Sequence, residues 1–161
     1  MSADPDPAVN PGPLQTAPGA VLLARGVRRA LAQLGYASLS EFPLASGRRA
    51  DILALGRTGE LVIVEIKSSV ADFRADHKWP SYRGFADHLY FAVAGSFPTA
   101  LIPEECGLIV ADAFGAAILR GGTASPLGAA RRRAMTLRFA RIAAARLYRA
   151  CDPEAGRFGA V

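Results

Sequence analysis

The sequence predicts one α/β domain in which a central mixed β-sheet is flanked by helices. Helical and strand patterns follow one another in the order helix, three strands, helix, strands, helix, which is typical of layered folds. The strands lack polar and apolar alternation, so both faces of the sheet are expected to be covered. The chain has 161 residues, 51% apolar and 20% charged, which is enough for one core without disulfides or a structural metal.

The boundaries of this domain follow from composition. Residues 1–18 hold five of the eleven prolines and show no apolar periodicity, which predicts a disordered proline-rich tail. The folded domain is expected to span residues 19–151, and residues 152–161 are expected to form a flexible tail.

The first helix is predicted to begin near Ala20 and to stop at Gly35, because glycine commonly follows the last helical residue. Apolar residues recur along it at helical spacing and form one stripe, made of Ala20, Ala24, Val27, Leu31 and Leu34. Off this stripe the helix carries Arg25, Arg28 and Arg29, and it contains no acidic residue.

Three strands are expected next, at Ser38–Leu44, Asp51–Leu55 and Leu61–Lys67. The last two are strongly apolar, and the segment between them, Gly56–Glu60, is short and bounded by glycine. This pattern predicts a β-hairpin.

The remaining elements complete the layers. A helix is predicted at Ala71–Gly84, and a long basic helix is predicted at Leu127–Ala150. Three short strands are predicted between these helices, at Leu89–Ala94, Gly107–Ala111 and Ala116–Arg120.

Three charged side chains interrupt the apolar hairpin. Glu65 and Lys67 are two residues apart in one strand and therefore face the same side of the sheet. If the turn is centred on Thr58, Asp51 lies directly opposite Glu65, with Cβ atoms about 5 Å apart. A shift of one residue in the turn would send Asp51 to the other face.

Two adjacent buried carboxylates are costly unless a positive charge neutralises them. A hard divalent cation, Mg²⁺ or Mn²⁺, does so and takes oxygen ligands from carboxylates, a backbone carbonyl and water. Lys67 would then assist the attacking water or stabilise charge on a phosphate, as in metal-assisted phosphodiester hydrolysis. The alternative is an exposed hairpin end with an ordinary Glu–Lys ion pair.

The spacing of Asp51, thirteen further residues and then Glu65-Ile66-Lys67 resembles the core of the PD-(D/E)XK nucleases, whose fold is helix, three strands, helix, strand. A longer set of segments resembles the MmcB-like DNA repair proteins of alphaproteobacteria over about Ala20–Arg149. These segments are Glu41–Leu44, Gly47–Leu55, Glu65–Ser69, Asp72–Tyr82 and Leu89–Val93.

The resemblance implies roles for four residues of the hairpin. Asp51 and Glu65 would ligate the metal, and Ile66 would lend its backbone carbonyl. Lys67 would be the catalytic lysine.

Two positions depart from the pattern of the nuclease superfamily. Ala50 stands where proline commonly precedes the aspartate, and the first helix lacks the acidic residue that many members carry there. Glu41, on the following strand, is expected to replace that acid in the catalytic set. The alternative is an exposed glutamate on an edge strand.

The segment after the lysine is rich in polar and aromatic residues. Ser68 and Ser69 either cap the next helix or contact a phosphate. Lys78 and Tyr82 share a face if that helix is continuous, although Pro80 is able to end it. Trp79 either stacks on an unpaired base or packs the helix onto the sheet. The expected DNA-binding residues are Arg49, Ser68, Lys78, Trp79, Tyr82, Arg131, Arg138 and Arg141.

The terminal helix region, from Leu127 to Cys151, has seven arginines and no acidic residue, a pattern that suits contact with a phosphate backbone. One apolar arc is predicted to dock on the sheet and consists of Leu137, Ala140, Ala144, Leu147 and Tyr148. A second, smaller stripe flanks the arginines and offers a surface to a repair-protein partner or to a second copy of the chain. It consists of Met135, Phe139 and Ile142.

Charge and hydropathy narrow the class of protein further. A net charge of +5 suits a DNA partner, although GC-rich coding also favours arginine, which makes up 17 of the 19 basic residues. No segment has the length and apolar character of a membrane span, and no secretory signal is visible. Two distant cysteines indicate the reducing cytoplasm.

Taken together, these patterns and the resemblance predict a Mg²⁺- or Mn²⁺-dependent deoxyribonuclease, and the resemblance implies that it acts in DNA repair, on branched, damaged or single-stranded DNA. The alternative is a non-catalytic DNA-binding or scaffold module on the same fold. The buried acids favour the enzyme, because a scaffold does not need them, whereas the missing helix acid favours the module.

Overall fold

The computed structural model describes residues 18–154 of the chain. Its α-helices are α1 (Pro18–Gln33), α2 (Val70–Ala75) and α3 (Ala129–Cys151). Its strands are β1 (Ala37–Pro43), β2 (Arg49–Leu55), β3 (Leu61–Lys67), β4 (His88–Val93), β5 (Gly107–Ala111) and β6 (Ala116–Arg120). Two 3₁₀ helices lie at Trp79–Phe85 and Thr99–Leu101. The predicted N-terminal tail, except for its last residue, and residues 155–161 of the predicted C-terminal tail lie outside the described residues.

The six strands form one mixed sheet in the order β1-β2-β3-β4-β5-β6. The β1–β2–β3 meander is antiparallel, β4 and β5 extend it in parallel, and β6 returns antiparallel to β5. Helix α1 packs on one face, and α2 and α3 pack on the other. The predicted mixed sheet flanked by helices is therefore confirmed. Within residues 18–154, no helix is both long enough and apolar enough to cross a bilayer.

The central strands are buried on both faces, as their lack of alternation predicts. All seven residues of β3 are buried. Ile52 of β2 packs on the side of Val27 in α1, whereas Leu53 packs on the side of Phe139 in α3. This two-sided core fixes the orientation of β2 and β3, and with it the positions of Asp51 and Glu65.

Helix α1 ends as its glycine predicts. Gly35 adopts φ +87°, a left-handed conformation that favours glycine. Gly35 N donates to Ala32 O at 3.0 Å and Tyr36 N donates to Leu31 O at 2.9 Å, which is the Schellman pattern. Because the helix stops at Gln33, Leu34 lies beyond the buried stripe and is exposed, so its predicted place in that stripe is wrong.

Gly26 sets the rotation of α1 against the sheet. A Cβ atom at this position would lie 2.0 Å from the Asp112 carbonyl oxygen and 2.5 Å from that of Gly115. At Gly26 the helix backbone therefore lies directly against the carbonyl groups of the β5–β6 turn. Its buried side carries Leu23, Val27 and Leu31.

The predicted continuous helix at Ala71–Gly84 is wrong. Helix α2 ends at Ala75, and a separate 3₁₀ helix begins at Trp79. The Asp76 carboxylate accepts hydrogen bonds from the Lys78 backbone N–H and from the side chain of Lys67, and these contacts fold the chain out of the helix. As a result Lys78 is exposed while Tyr82 is buried, so these two side chains do not share one helical face.

The predicted docking face of the terminal helix is also wrong. Leu137, Leu147 and Tyr148 are all more than half exposed. Instead, the stripe predicted to be free packs on the core: Met135 and Phe139 are buried, and the Phe139 ring stacks on Phe42 with centroids 6.1 Å apart. Ile142 is partly buried beside them.

Arginine side chains explain which face of α3 docks. Arg132 forms a two-bond ion pair with the buried Asp87, at 2.7 Å for each bond. Arg138 Nε donates to Pro43 O at 2.6 Å, and Arg146 donates to two carbonyls of β1. Hydrogen bonds from a charged donor are among the stronger ones in proteins. They turn the arginine-bearing side of α3 towards the sheet.

Candidate metal centre

The hairpin between β2 and β3 brings Asp51 and Glu65 together. Ile52 pairs with Val64, so the next residues outward are Asp51 and Glu65, in the predicted register. The turn supports this register, because Gly59 takes φ +92° and Gly56 N donates to Glu60 O at 2.8 Å.

Each carboxylate of the pair is held by the backbone of the opposite strand. Ile66 N donates to Asp51 Oδ2 at 2.7 Å, and Asp51 N donates to Glu65 Oε1 at 3.1 Å. Within residues 18–154, the second oxygen of each carboxylate has no hydrogen-bond donor from the protein. The two side chains therefore present held oxygen ligands of the type that hard cations prefer.

Burial and mutual repulsion disfavour two negative charges at this place. Glu65 is only 4% exposed. Burial, followed by the neighbouring Asp51 carboxylate, raises the pKa of Glu65 to about 8. Burial also raises the pKa of Asp51. A divalent cation between the two groups would remove this penalty, so the residues present fit such an ion.

The protein ligands alone would not complete the coordination of such a cation. In the described part of the chain, no three His, Cys, Asp or Glu side chains come close enough to hold a metal together. A cation bound by Asp51 and Glu65 would need further oxygens from a backbone carbonyl, water or substrate, as Mg²⁺ commonly does.

Lys67 is buried on the same face of β3 and has a partner of its own. Lys67 Nζ donates to Asp76 Oδ2 at 2.6 Å, and both side chains are largely shielded from solvent. Burial opposes ionisation of Asp76, but the hydrogen bonds from Lys67 and the Lys78 backbone outweigh it and lower the pKa of that carboxyl. Sequence reasoning missed Asp76; the available signal was that a buried lysine needs a counter-charge.

Glu41 lies on a distorted part of β1 beside this pair. It is the one non-glycine residue between 18 and 154 with a positive φ, at 52°. Ser40 pairs with Ile52 and Phe42 pairs with Ala50, so Glu41 interrupts the ladder opposite Asp51. Its carboxylate forms an ion pair with Arg49 Nε at 2.6 Å. Glu41 thus lies at the rim of the site, bound to an arginine.

A cleft of about 960 Å³ opens over the carboxylate pair. Asp51, Glu65 and Lys67, from the interior strands β2 and β3, line it. Arg25, Arg28 and Arg29 of α1 also line it. These arginines were not among the site residues predicted from the sequence. The signal that could have identified them was a helix that carries arginines and no acidic residue.

The residues predicted to contact DNA do not form one surface. Arg49, Ser68 and Tyr82 line the cleft, and the buried Tyr82 hydroxyl donates to Arg49 O. Lys78 is exposed immediately before the 3₁₀ helix that begins at Trp79. Trp79 packs edge-on against Phe91, with ring centroids 5.7 Å apart, so the packing alternative describes its position.

The arginines predicted to bind DNA through α3 are partly engaged within the protein. Arg131 donates to Gly84 O and lies 4.9 Å from the centroid of the Phe85 ring. Arg138 donates to Pro43 O. Arg141 is exposed.

Comparisons with known proteins agree with this architecture. A family model described as "DNA repair protein MmcB-like" matches residues 10–154. A solved structure of SPO1766, a protein of unknown function from Silicibacter pomeroyi, is 44% identical and has a TM-score of 0.83. The similarity covers 88% of this chain and 97% of that one. No curated protein matches the chain.

Proposed function

The chain belongs to the MmcB-like family of DNA repair proteins, and on that premise we propose that it is a DNA endonuclease that uses Mg²⁺ or Mn²⁺ to hydrolyse phosphodiester bonds. The observation that carries the proposal is the pair formed by the partly buried Asp51 and the buried Glu65, held by reciprocal hydrogen bonds beside a cleft. A pair of this kind is costly without a cation.

Each residue of the hairpin has a separate role in this proposal. Asp51, Glu65 and the Ile66 carbonyl would hold the cation. When bound, the cation would polarise a phosphate oxygen and lower the pKa of a bound water. The Lys67 ammonium would donate to a phosphate oxygen and stabilise the charge that develops there. Asp76 keeps that ammonium in place and is a positioning residue.

A second candidate, a non-catalytic DNA-binding or scaffold module of a repair complex, is favoured by two observations. The Lys67 ammonium is engaged by Asp76 at 2.6 Å. No third carboxylate joins Asp51 and Glu65 within residues 18–154 as a metal-binding group. A module of this kind would bind DNA equally well with and without a divalent cation.

Cleavage assays separate the two candidates. The full chain is incubated with nicked, branched and single-stranded DNA in Mg²⁺, in Mn²⁺ and in EDTA. We expect cation-dependent cutting that Glu65→Gln and Lys67→Ala both reduce by at least about a hundredfold. Glu104→Gln, an exposed glutamate away from the cleft, serves as the matched control. Absence of cutting on all three substrates, or unchanged cutting by Glu65→Gln, would contradict the nuclease proposal.

A further inference from the structure

Arg25 and Arg29 are a pair of basic side chains on α1. They are four residues apart and therefore lie on one side of the helix, separated by about 6 Å along its axis. Both are exposed. Among residues 18–154, neither has an ion-pair or hydrogen-bond partner, whereas the neighbouring Arg28 donates to the Ser38 side chain and carbonyl.

The packing of α1 aims this basic pair at the cleft. Gly26 is in backbone contact with the β5–β6 turn, and Val27 is 1% exposed against the sheet. These contacts leave α1 one rotation, in which Arg25 and Arg29 line the same cleft as Asp51 and Glu65.

The cleft combines basic side chains of α1 with the carboxylates of Asp51 and Glu65. Helix α1 contains no acidic residue, so nothing on the helix itself neutralises Arg25 and Arg29. The other basic residues of the cleft wall include Lys67 and Arg49, which are each paired with a carboxylate of the protein. An anionic polymer would therefore be attracted by Arg25 and Arg29, and it would approach Asp51 and Glu65 only with a cation between them. Arginine is suited to this role because its guanidinium matches a phosphate with two parallel hydrogen bonds.

We propose that Arg25 and Arg29 bind the phosphate backbone of a single DNA strand and guide it along α1 to the carboxylate pair. The inference rests on the proposed function for the identity of the ligand. The cleft volume of about 960 Å³ is in the range of sites that take small molecules, so the cleft matches a few nucleotides of one strand.

The arginines of α3 are less available for the same role. Arg131, Arg132, Arg138 and Arg146 all donate to acceptors of the protein itself. Arg133 and Arg149 are exposed but do not line the cleft. Removing charge from α1 should therefore affect DNA binding more than removing the same charge from these two positions.

The test measures DNA binding in EDTA, using the fluorescence anisotropy of a labelled single-stranded oligothymidylate. Arg25→Ala/Arg29→Ala is compared with Arg133→Ala/Arg149→Ala, which removes the same charge from exposed positions of α3. We expect the α1 variant to lose about tenfold or more in affinity and to lower the salt slope by about 1.4. The α3 variant should stay close to wild type. Arg25→Lys/Arg29→Lys, which retains the charge, should keep the salt slope.

Two results would overturn the inference. One is an equal loss of affinity in the α1 and α3 variants, which would indicate attraction by net charge alone. The other is a duplex competitor that displaces the probe as well as a single-stranded competitor does.

The assay is independent of catalysis, because it uses no cation and measures no cutting. A wild-type chain that binds through Arg25 and Arg29 but never cuts would contradict only the nuclease proposal. A chain that cuts DNA and binds it regardless of these arginines would contradict only the inference about α1.

Discussion

At the scale of single residues, the Asp51–Glu65 pair stores an electrostatic cost in the free protein. The backbone N–H groups of Asp51 and Ile66 hold both carboxylates in place, so the two groups cannot turn away from each other. Burial raises the pKa of both. A site of this kind trades stability for ligand binding, as functional sites commonly do.

Replacing Glu65 by glutamine should reveal that cost. In EDTA we expect Glu65→Gln to unfold a few degrees above wild type. A glutamate whose pKa is raised to about 8 on folding must take up a proton or be buried as a charge at neutral pH, which costs stability. The amide is neutral in both states, and its oxygen still accepts the Asp51 N–H. Mn²⁺ should then raise the unfolding temperature of wild type by mass action and leave that of Glu65→Gln unchanged. Thermal unfolding followed by circular dichroism measures both effects, with Glu104→Gln as the control. A variant less stable than wild type in EDTA would contradict this account.

Asp76 gives a second prediction at this scale. Asp76→Asn should lower the free energy of unfolding by about 1–3 kcal/mol, because the buried Lys67 ammonium loses its counter-charge. It should also lower kcat more than it raises KM, because Lys67 is no longer held. Urea unfolding and steady-state cleavage measure the two effects. Repeating the substitution in a Lys67→Met background should cost clearly less; an equal cost in both backgrounds would show that Asp76 does not act through Lys67.

At the scale of elements, local chemistry decides what the sequence can predict. The bounds of β3, β5 and β6 are as predicted, because apolar runs and turn residues define them locally. The prediction of a helix at Ala71–Gly84 was wrong because Asp76 interrupts it. The partner of Asp76 is Lys67, which lies in β3 and not in this segment. The prediction of the docking face of α3 was wrong because it compared only the hydrophobicity of the two apolar stripes. Ion pairs and hydrogen bonds to backbone carbonyls, such as that of Arg138, set the rotation of the helix.

The seating of α1 gives a prediction for this scale. Alanine usually stabilises a helix interior relative to glycine by up to about 1 kcal/mol. Gly26→Ala should do the opposite, because its Cβ would meet the Asp112 carbonyl oxygen at 2.0 Å and push α1 off the β5–β6 turn. Gly19→Ala, in the same helix with nothing within 4 Å, is the matched control and should be neutral or stabilising. The unfolding temperatures of the two variants give the test. A Gly26→Ala variant that unfolds at or above the temperature of wild type would contradict the close packing of α1.

At the scale of the whole molecule, the site is assembled from parts of the chain that differ in how predictable they are. Asp51, Glu65 and Lys67 belong to one hairpin, so its turn and register were enough to bring them together. Arg25 lies in α1 and Asp76 directly follows α2, and the positions of both helices depend on packing across the sheet. Their place at or near the cleft could not be read from spacing, although the lack of acidic residues on α1 and the buried charge of Lys67 were visible hints.

A crystal structure of the full chain soaked in Mn²⁺, with the metal located by its anomalous scattering, tests the central claim most directly. We predict a manganese peak within ligand distance of both the Asp51 and the Glu65 carboxylates, and loss of that peak in Glu65→Gln. A structure in which manganese binds elsewhere while these two carboxylates remain without a cation would contradict the claim.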